Sequence, residues 1–285
     1  MLPQTKNHLR ERTAVSCQQG KRKQMHALKL LTTLFKVNLQ QELAYRADAL
    51  INALLSLMWL GWELLSLNII FTNSTTLAGW GKGELIALLG VWRLVNTLMI
   101  ALVWPNTQKF NTSVRDGSLD YTFLQPANSQ FLVSFSRIVI WRVWDVALAA
   151  ALIVVGIRMS GGGAVPVNIA NFLLLTISGV LIIYSLWIVM ISLTFWFVKF
   201  DNSVTILQAL MDSGRYPAQV YPIWLRMLVT FVIPIAVATT VPLQALRGEL
   251  LWWQVLMFLG IGAASLLISA QVWKAGVRRY SGASS

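Results

Sequence analysis

The stretch NFLLLTISGVLIIYSLWIVMISLTFWFV, residues 171–198, contains no charged side chain. A bilayer core about 30 Å thick calls for about 20 consecutive apolar residues in a helix, and in lipid only a helix satisfies its own backbone N–H and C=O groups segment by segment. The stretch therefore reads as a membrane span. The whole chain agrees: of 285 residues, 56% are hydrophobic, only 12% are charged, and the mean hydropathy is +0.62. An ordinary soluble domain is about a quarter Asp, Glu, Lys and Arg, so a water-soluble enzyme is excluded.

Five further apolar runs lie at 49–71, 84–104, 131–157, 221–241 and 250–273. An even number of spans returns both termini to one side of the membrane. Lys and Arg choose the side: with cytoplasmic termini, the inner segments 1–48, 105–130, 199–220 and 274–285 hold most of the 23 cations. The outer loops hold only Lys82, Arg158 and Arg247, the asymmetry that the positive-inside rule describes. The expected fold is an all-α membrane protein of six transmembrane helices with both termini cytoplasmic. Trp80, Trp104, Trp141, Trp196, Trp224, Trp252, Trp253 and Trp273 fall near span ends, as an interfacial belt would have them.

Ahead of the first span, residues 26–46 read as an amphipathic helix. Leu28, Leu31, Leu34, Phe35, Leu39 and Leu43 cluster on one face, with Lys29, Thr33, Lys36 and Gln40 opposite. Such a helix lies in the cytoplasmic interface rather than crossing it. The domain reading is a basic tail at 1–25, this connecting helix at 26–46, the six-helix domain at 47–274 and a cytoplasmic tail at 275–285. The basic tail lacks the interleaved aromatics of a nucleic-acid surface, so its partner is the lipid bilayer and not nucleic acid. Its first 25 residues have no apolar centre, so no cleavable signal peptide is expected. One cysteine, Cys17, precludes an intrachain disulfide, and His8 and His26 both precede the spans, leaving no histidine for a metal or catalytic site in the membrane.

The first cytoplasmic loop, NTQKFNTSVRDGSLDYTFLQPANSQ at 106–130, carries a turn signal at Asp116-Gly117, a capping candidate in Ser118 and a stop at Pro126. A short helix between them would expose Leu119, Tyr121, Phe123 and Leu124, either as a docking knob for a soluble partner or as a hairpin lying on the membrane. The second cytoplasmic loop, 199–220, holds Asp201, Asp212 and Arg215. It reaches the fifth span through two Tyr-Pro steps that forbid one continuous helix. Pro234 and Pro242 bracket 235–241, which fits a broken or re-entrant segment near the outer leaflet.

Among the charges within spans, four can be matched in pairs. Glu63 and Arg93 lie at matching depths in adjacent antiparallel spans, so they can pair; Arg142 and Asp145, three apart, can pair within one helix. They either line a polar cavity or staple helices together, and matched charges favour staples. No P-loop spacing, no Ser/His/Asp set, no H-E-x-x-H and no close pair of intramembrane carboxylates is present, so catalysis has no candidate residues on this chain.

Several motifs together resemble one family, the ABC-2 type membrane permeases of ATP-binding-cassette exporters in their bacterial six-helix subfamily. They are Gly117-Ser118-Leu119-Asp120 with Leu124-Gln125-Pro126, SGRYPAQVYPIWLR at 213–226, VIPIAVATTVP at 232–242, and WKAGVRRYSGASS at 273–285. Gln125 departs from the Arg usual before that loop proline. The resemblance implies that 26–46 is the connecting helix and that the loop between spans two and three couples to the ATPase through Asp116, Gly117, Leu119, Asp120, Tyr121 and Leu124. It also implies a re-entrant outer segment matching 234–250. ATP and Mg would bind a separate cytoplasmic ATPase, with no cofactor on this chain. A second permease, identical or different, would complete the path in the bacterial inner membrane. The alternatives are an ion-gradient transporter with Glu63 and Asp145 as proton carriers, and a membrane anchor for a cytoplasmic complex. Aromatic content suits a hydrophobic or cationic organic substrate without selecting one.

Overall fold

The computed structural model describes Gln40 and residues 46–125, 128–161, 165–197, 203–232 and 234–280. The basic tail, the amphipathic helix expected at 26–46, Pro126 and the last five residues lie outside that set, apart from Gln40 and Arg46. Among the described residues every named element is helical. In order they are α1 (Arg46–Asn73), α2 (Lys82–Leu98), α3 (Trp104–Arg115), α4 (Leu119–Phe123), α5 (Ser129–Phe135), α6 (Val143–Met159), α7 (Pro166–Ser192), α8 (Ser203–Asp212), α9 (Ile223–Met227), α10 (Ile235–Leu246) and α11 (Trp252–Arg279). Among the described residues five helices are long and apolar enough to cross a membrane, and a sixth span results if Ile223–Thr230 and Ile235–Leu246, bent by 91°, are counted as one.

The second span is longer than its apolar run. A π-helical turn, Met99–Val103, joins α2 to α3, and the helical stretch Lys82–Arg115 takes in the first ten residues of the expected loop. The π turn accommodates Pro105, which has no N–H to give to the carbonyl of Ala101. Val139 N donates to that carbonyl at 3.1 Å instead. The third span, expected from 131, starts only at Ile140, because Asn106 takes over the backbone at the break. Its Oδ1 accepts from Arg137 N (2.9 Å) and Ser136 Oγ (2.7 Å), and its Nδ2 donates to the carbonyls of Ser134 (2.9 Å) and Arg137 (2.7 Å). One buried amide thus takes up backbone groups of Ser134 and Arg137 where the helix breaks.

The fifth span, read at 221–241, is not one helix. Pro234 cannot donate, and a proline disfavours helical geometry in the residue before it, so the chain turns sharply between α9 and α10. Beyond the turn α10 is buried along nearly its whole length and runs straight through Pro242. Residues 203–220 are not a free loop either. Trp92, near the middle of α2, donates its indole N–H to Met211 O at 2.7 Å, and Met211, Gly214 and Ala218 are buried. Gly214 explains the approach: a Cβ there would meet Ile235 Cγ2 at 2.9 Å.

Small residues set the remaining contacts, as close backbone approach in lipid demands. A Cβ at Gly83 or Gly90 of α2, or at Gly156 of α6, would lie within 3 Å of the facing backbone. Gly179 meets Ala238 between α7 and α10, and Gly262 meets Ser178 between α11 and α7. By contrast α1 is mostly exposed, with Leu50, Trp59 and Trp62 open on its surface. Two tryptophans assigned to the interfacial belt, Trp80 and Trp273, are buried core residues instead.

Candidate functional site

The residues singled out from the sequence fall into two constellations. The first joins α1, α2 and the start of α6. Arg93 Nη1 donates to Glu63 Oε2 at 2.8 Å, and Nη2 donates to the Ser56 carbonyl at 2.9 Å and to Ser56 Oγ at 2.5 Å. Ser56 Oγ in turn donates to Asp145 Oδ1, whose other oxygen accepts from Arg142 Nη1 at 2.8 Å. Arg93 also lies 3.9 Å from Asp145. Both pairings read from spacing are present, and Ser56 merges them into one network. The sequence reading missed Ser56, although it stands two helical turns from Glu63 on the same face of α1.

Two cations face two carboxylates, and all four are at least half-removed from solvent. An unpaired charge at this depth would cost several kcal/mol, so the network holds together only as a set. α1 packs loosely on its neighbours, and these bonds are its main polar ties to the bundle. Arg215 stacks over Trp92 of α2 at 4.3 Å and pairs with Asp212 at 3.1 Å.

The second constellation surrounds α4. Gly117 turns the chain with a φ of 70°, a conformation that costs a side chain strain, and α4 follows. Ser118 makes no side-chain cap, its carbonyl receiving Tyr121 N at 3.2 Å. The expectation of four exposed apolar anchors is corrected here. Leu119 is 1% exposed and belongs to a core cluster with Phe110 and Trp273. Phe123 packs on Tyr280 with ring centroids 5.6 Å apart. Helical geometry separates the faces: Leu119 and Phe123, four apart, turn inward, while Tyr121 (74%) and Leu124 (80%) remain open. Asp116 is exposed and Asp120 half-buried.

Beneath α4 lies an aromatic cluster that the sequence reading did not find. Phe110 meets Phe195 at 5.6 Å and Trp273 at 5.7 Å, and Phe195 meets Trp273 at 5.6 Å and Tyr280 at 5.9 Å. It ties α3, the end of α7 and the end of α11 together, and Gly276 leaves the room that Phe195 fills. Burial pushes the Tyr280 hydroxyl above its usual pKa, and the neighbouring Asp120 carboxylate adds to the shift. No group of three or more metal-ligating side chains occurs among the described residues.

Several apolar helices, close-packed through glycine and carrying a neutralised charge network, define a multi-pass membrane protein. A family model described as ABC-2 family transporter protein matches residues 57–284, which takes in every described span except the start of α1. The chain belongs to this family: it is an ABC-2 type permease, a component of membrane transport that is not itself catalytic. Comparison with curated proteins and with solved structures finds no match.

Proposed function

We propose that this chain is the membrane subunit of an ATP-driven exporter in the bacterial inner membrane, with six spans and both termini cytoplasmic. Two permease chains, identical or different, flank the translocation path, and cytoplasmic ATPase subunits hold ATP and Mg. The ATPase docks on the turn and helix formed by Asp116, Gly117, Asp120, Tyr121 and Leu124, while Leu119 anchors that helix from below.

The observation that carries the reading is the division of α4 into an open face and a face locked into the aromatic cluster. A push on Tyr121 or Leu124 is delivered through Leu119 and Phe123 to Phe110, Phe195, Trp273 and Tyr280, and so to three long helices at once. ATP closing the partner dimer would shift the bundle between two packings, and substrate would leave outward. The charge network acts as a staple: each of its carboxylates faces a guanidinium, which favours export over an ion-gradient mechanism.

The test is co-purification of the ATPase with Tyr121→Asp/Leu124→Asp, both exposed positions whose change leaves the core intact. The double variant is expected to fold and to lose the ATPase. Undiminished association would sink the docking surface. Leu119→Asp would place a charge in the core and is expected to abolish folding instead.

A further inference from the structure

Away from both constellations, a cavity of about 460 Å³ opens where the start of α2, the end of α6, the start of α7 and the end of α10 meet. That volume is in the range of small-molecule sites, which combine apolar walls with a few converging polar groups. Here the apolar wall is Ile157, Val165, Leu243 and Leu246. Glu84, Arg247, Glu249, Asn168 and Ser160 supply the polar side.

The hydrogen-bond inventory selects the ligand chemistry. Arg247 is shared between two carboxylates, its Nε 3.2 Å from Glu84 Oε1 and its Nη2 2.7 Å from Glu249 Oε1. Its guanidinium also lies over the Trp80 ring at 4.8 Å. One cation against two carboxylates leaves the site with an excess negative charge. Asn168 Nδ2 is turned to the Leu246 carbonyl at 3.3 Å, and Ser160 Oγ to the Gly156 carbonyl at 2.7 Å. Acceptor capacity remains on Asn168 Oδ1 and on the second oxygen of Glu249, while the Arg247 guanidinium already faces two carboxylates. The arrangement is built by the backbone: Gly248, at φ 73°, turns the chain so that Glu249 folds back on Arg247, and a Cβ there would press on Asn168 Nδ2 at 3.0 Å.

We propose that this cavity binds a lipophilic organic ammonium, its N–H donors on Glu249 and Asn168 and its hydrocarbon on Leu243 and Leu246. Its place at the outer ends of the spans, as a release-side site, rests on the export reading; the binding itself does not. An anion would face the excess carboxylate, and a neutral hydrocarbon would leave the acceptors unmet.

The full chain in lipid nanodiscs, titrated with the fluorescent amine dansylcadaverine against empty nanodiscs, tests this directly. Saturable binding is expected, weakened about tenfold by Glu249→Gln and abolished by Leu246→Trp, which fills the cavity. N-acetylated dansylcadaverine, of similar shape but uncharged, should not bind. The site is overturned if the acetylated probe binds equally, if Leu246→Trp leaves the titration unchanged, or if the signal does not exceed that of empty nanodiscs. Specific binding by an assembled complex that moves nothing on ATP would sink the export reading and leave the site standing. ATP-driven export without specific binding would do the reverse.

Discussion

Asp145 accepts hydrogen bonds from Ser56 and Arg142 and stands close to Arg93, so it meets groups from α1, α2 and the turn before α6. Replacing it with Ala strands the Arg142 guanidinium in a poorly solvated site and leaves Arg93 with Glu63 as its one carboxylate. The expected loss is about 3 kcal/mol or more, read as a lower midpoint of thermal unfolding in detergent micelles. Removing Arg142 in the same chain should recover part of that loss, because the two residues share one interaction. Asn106 is a second residue whose worth lies in geometry. Asn106→Ala leaves the backbone at 134–137 without its partners and is expected to destabilise by about 2 kcal/mol or more in the same assay. Gln would not restore it, since one added methylene displaces both amide atoms.

For the helices, close approach decides which substitutions are tolerated. Gly90→Leu would drive a side chain into the backbone of α6 and is expected to prevent accumulation of folded protein, measured by size-exclusion profile after expression. Gly61 is the internal control. It sits inside α1 with nothing within 4 Å of the place a methyl would take, so Gly61→Ala is expected to leave the profile intact and to stabilise by about 0.5–1 kcal/mol. Both are mid-helix glycines in apolar runs, and only their neighbours differ. The same logic explains the third span, whose apolar run extends to 131 but whose helix starts at Ile140, since Asn106 captures the intervening backbone.

The whole molecule has one orientation to test and one linkage to break. In a Cys17→Ser background, Tyr121→Cys is expected to react with an impermeant maleimide only in inside-out vesicles, and Glu249→Cys only in right-side-out vesicles. The opposite pattern would invert the topology. Phe195→Ala removes a ring that touches Phe110, Trp273 and Tyr280. In the assembled transporter it is expected to leave ATP hydrolysis largely intact and to lower transport per ATP, measured in reconstituted vesicles.

The residues alone establish a helical membrane chain, the place of most of its spans, and the ability of Glu63 to meet Arg93 and of Asp145 to meet Arg142. Those properties are local: an apolar run long enough for a bilayer, charges matched in depth, a spacing of three on a helix. The turn and short helix at 116–124 are legible in the same way. Which face of each element is covered is settled only once the helices pack. Leu119 and Leu124 are the same residue type in one short loop, yet one is core and the other surface, because Phe110, Trp273 and Tyr280 approach from segments far away in sequence. Ser56 joined two ion pairs, residues 203–220 folded against Trp92, and the outer cavity formed for the same reason. Burial depends on neighbours that helices of almost uniform hydrophobicity do not specify by pattern, and only glycine and a few polar side chains fixed which of them came into contact.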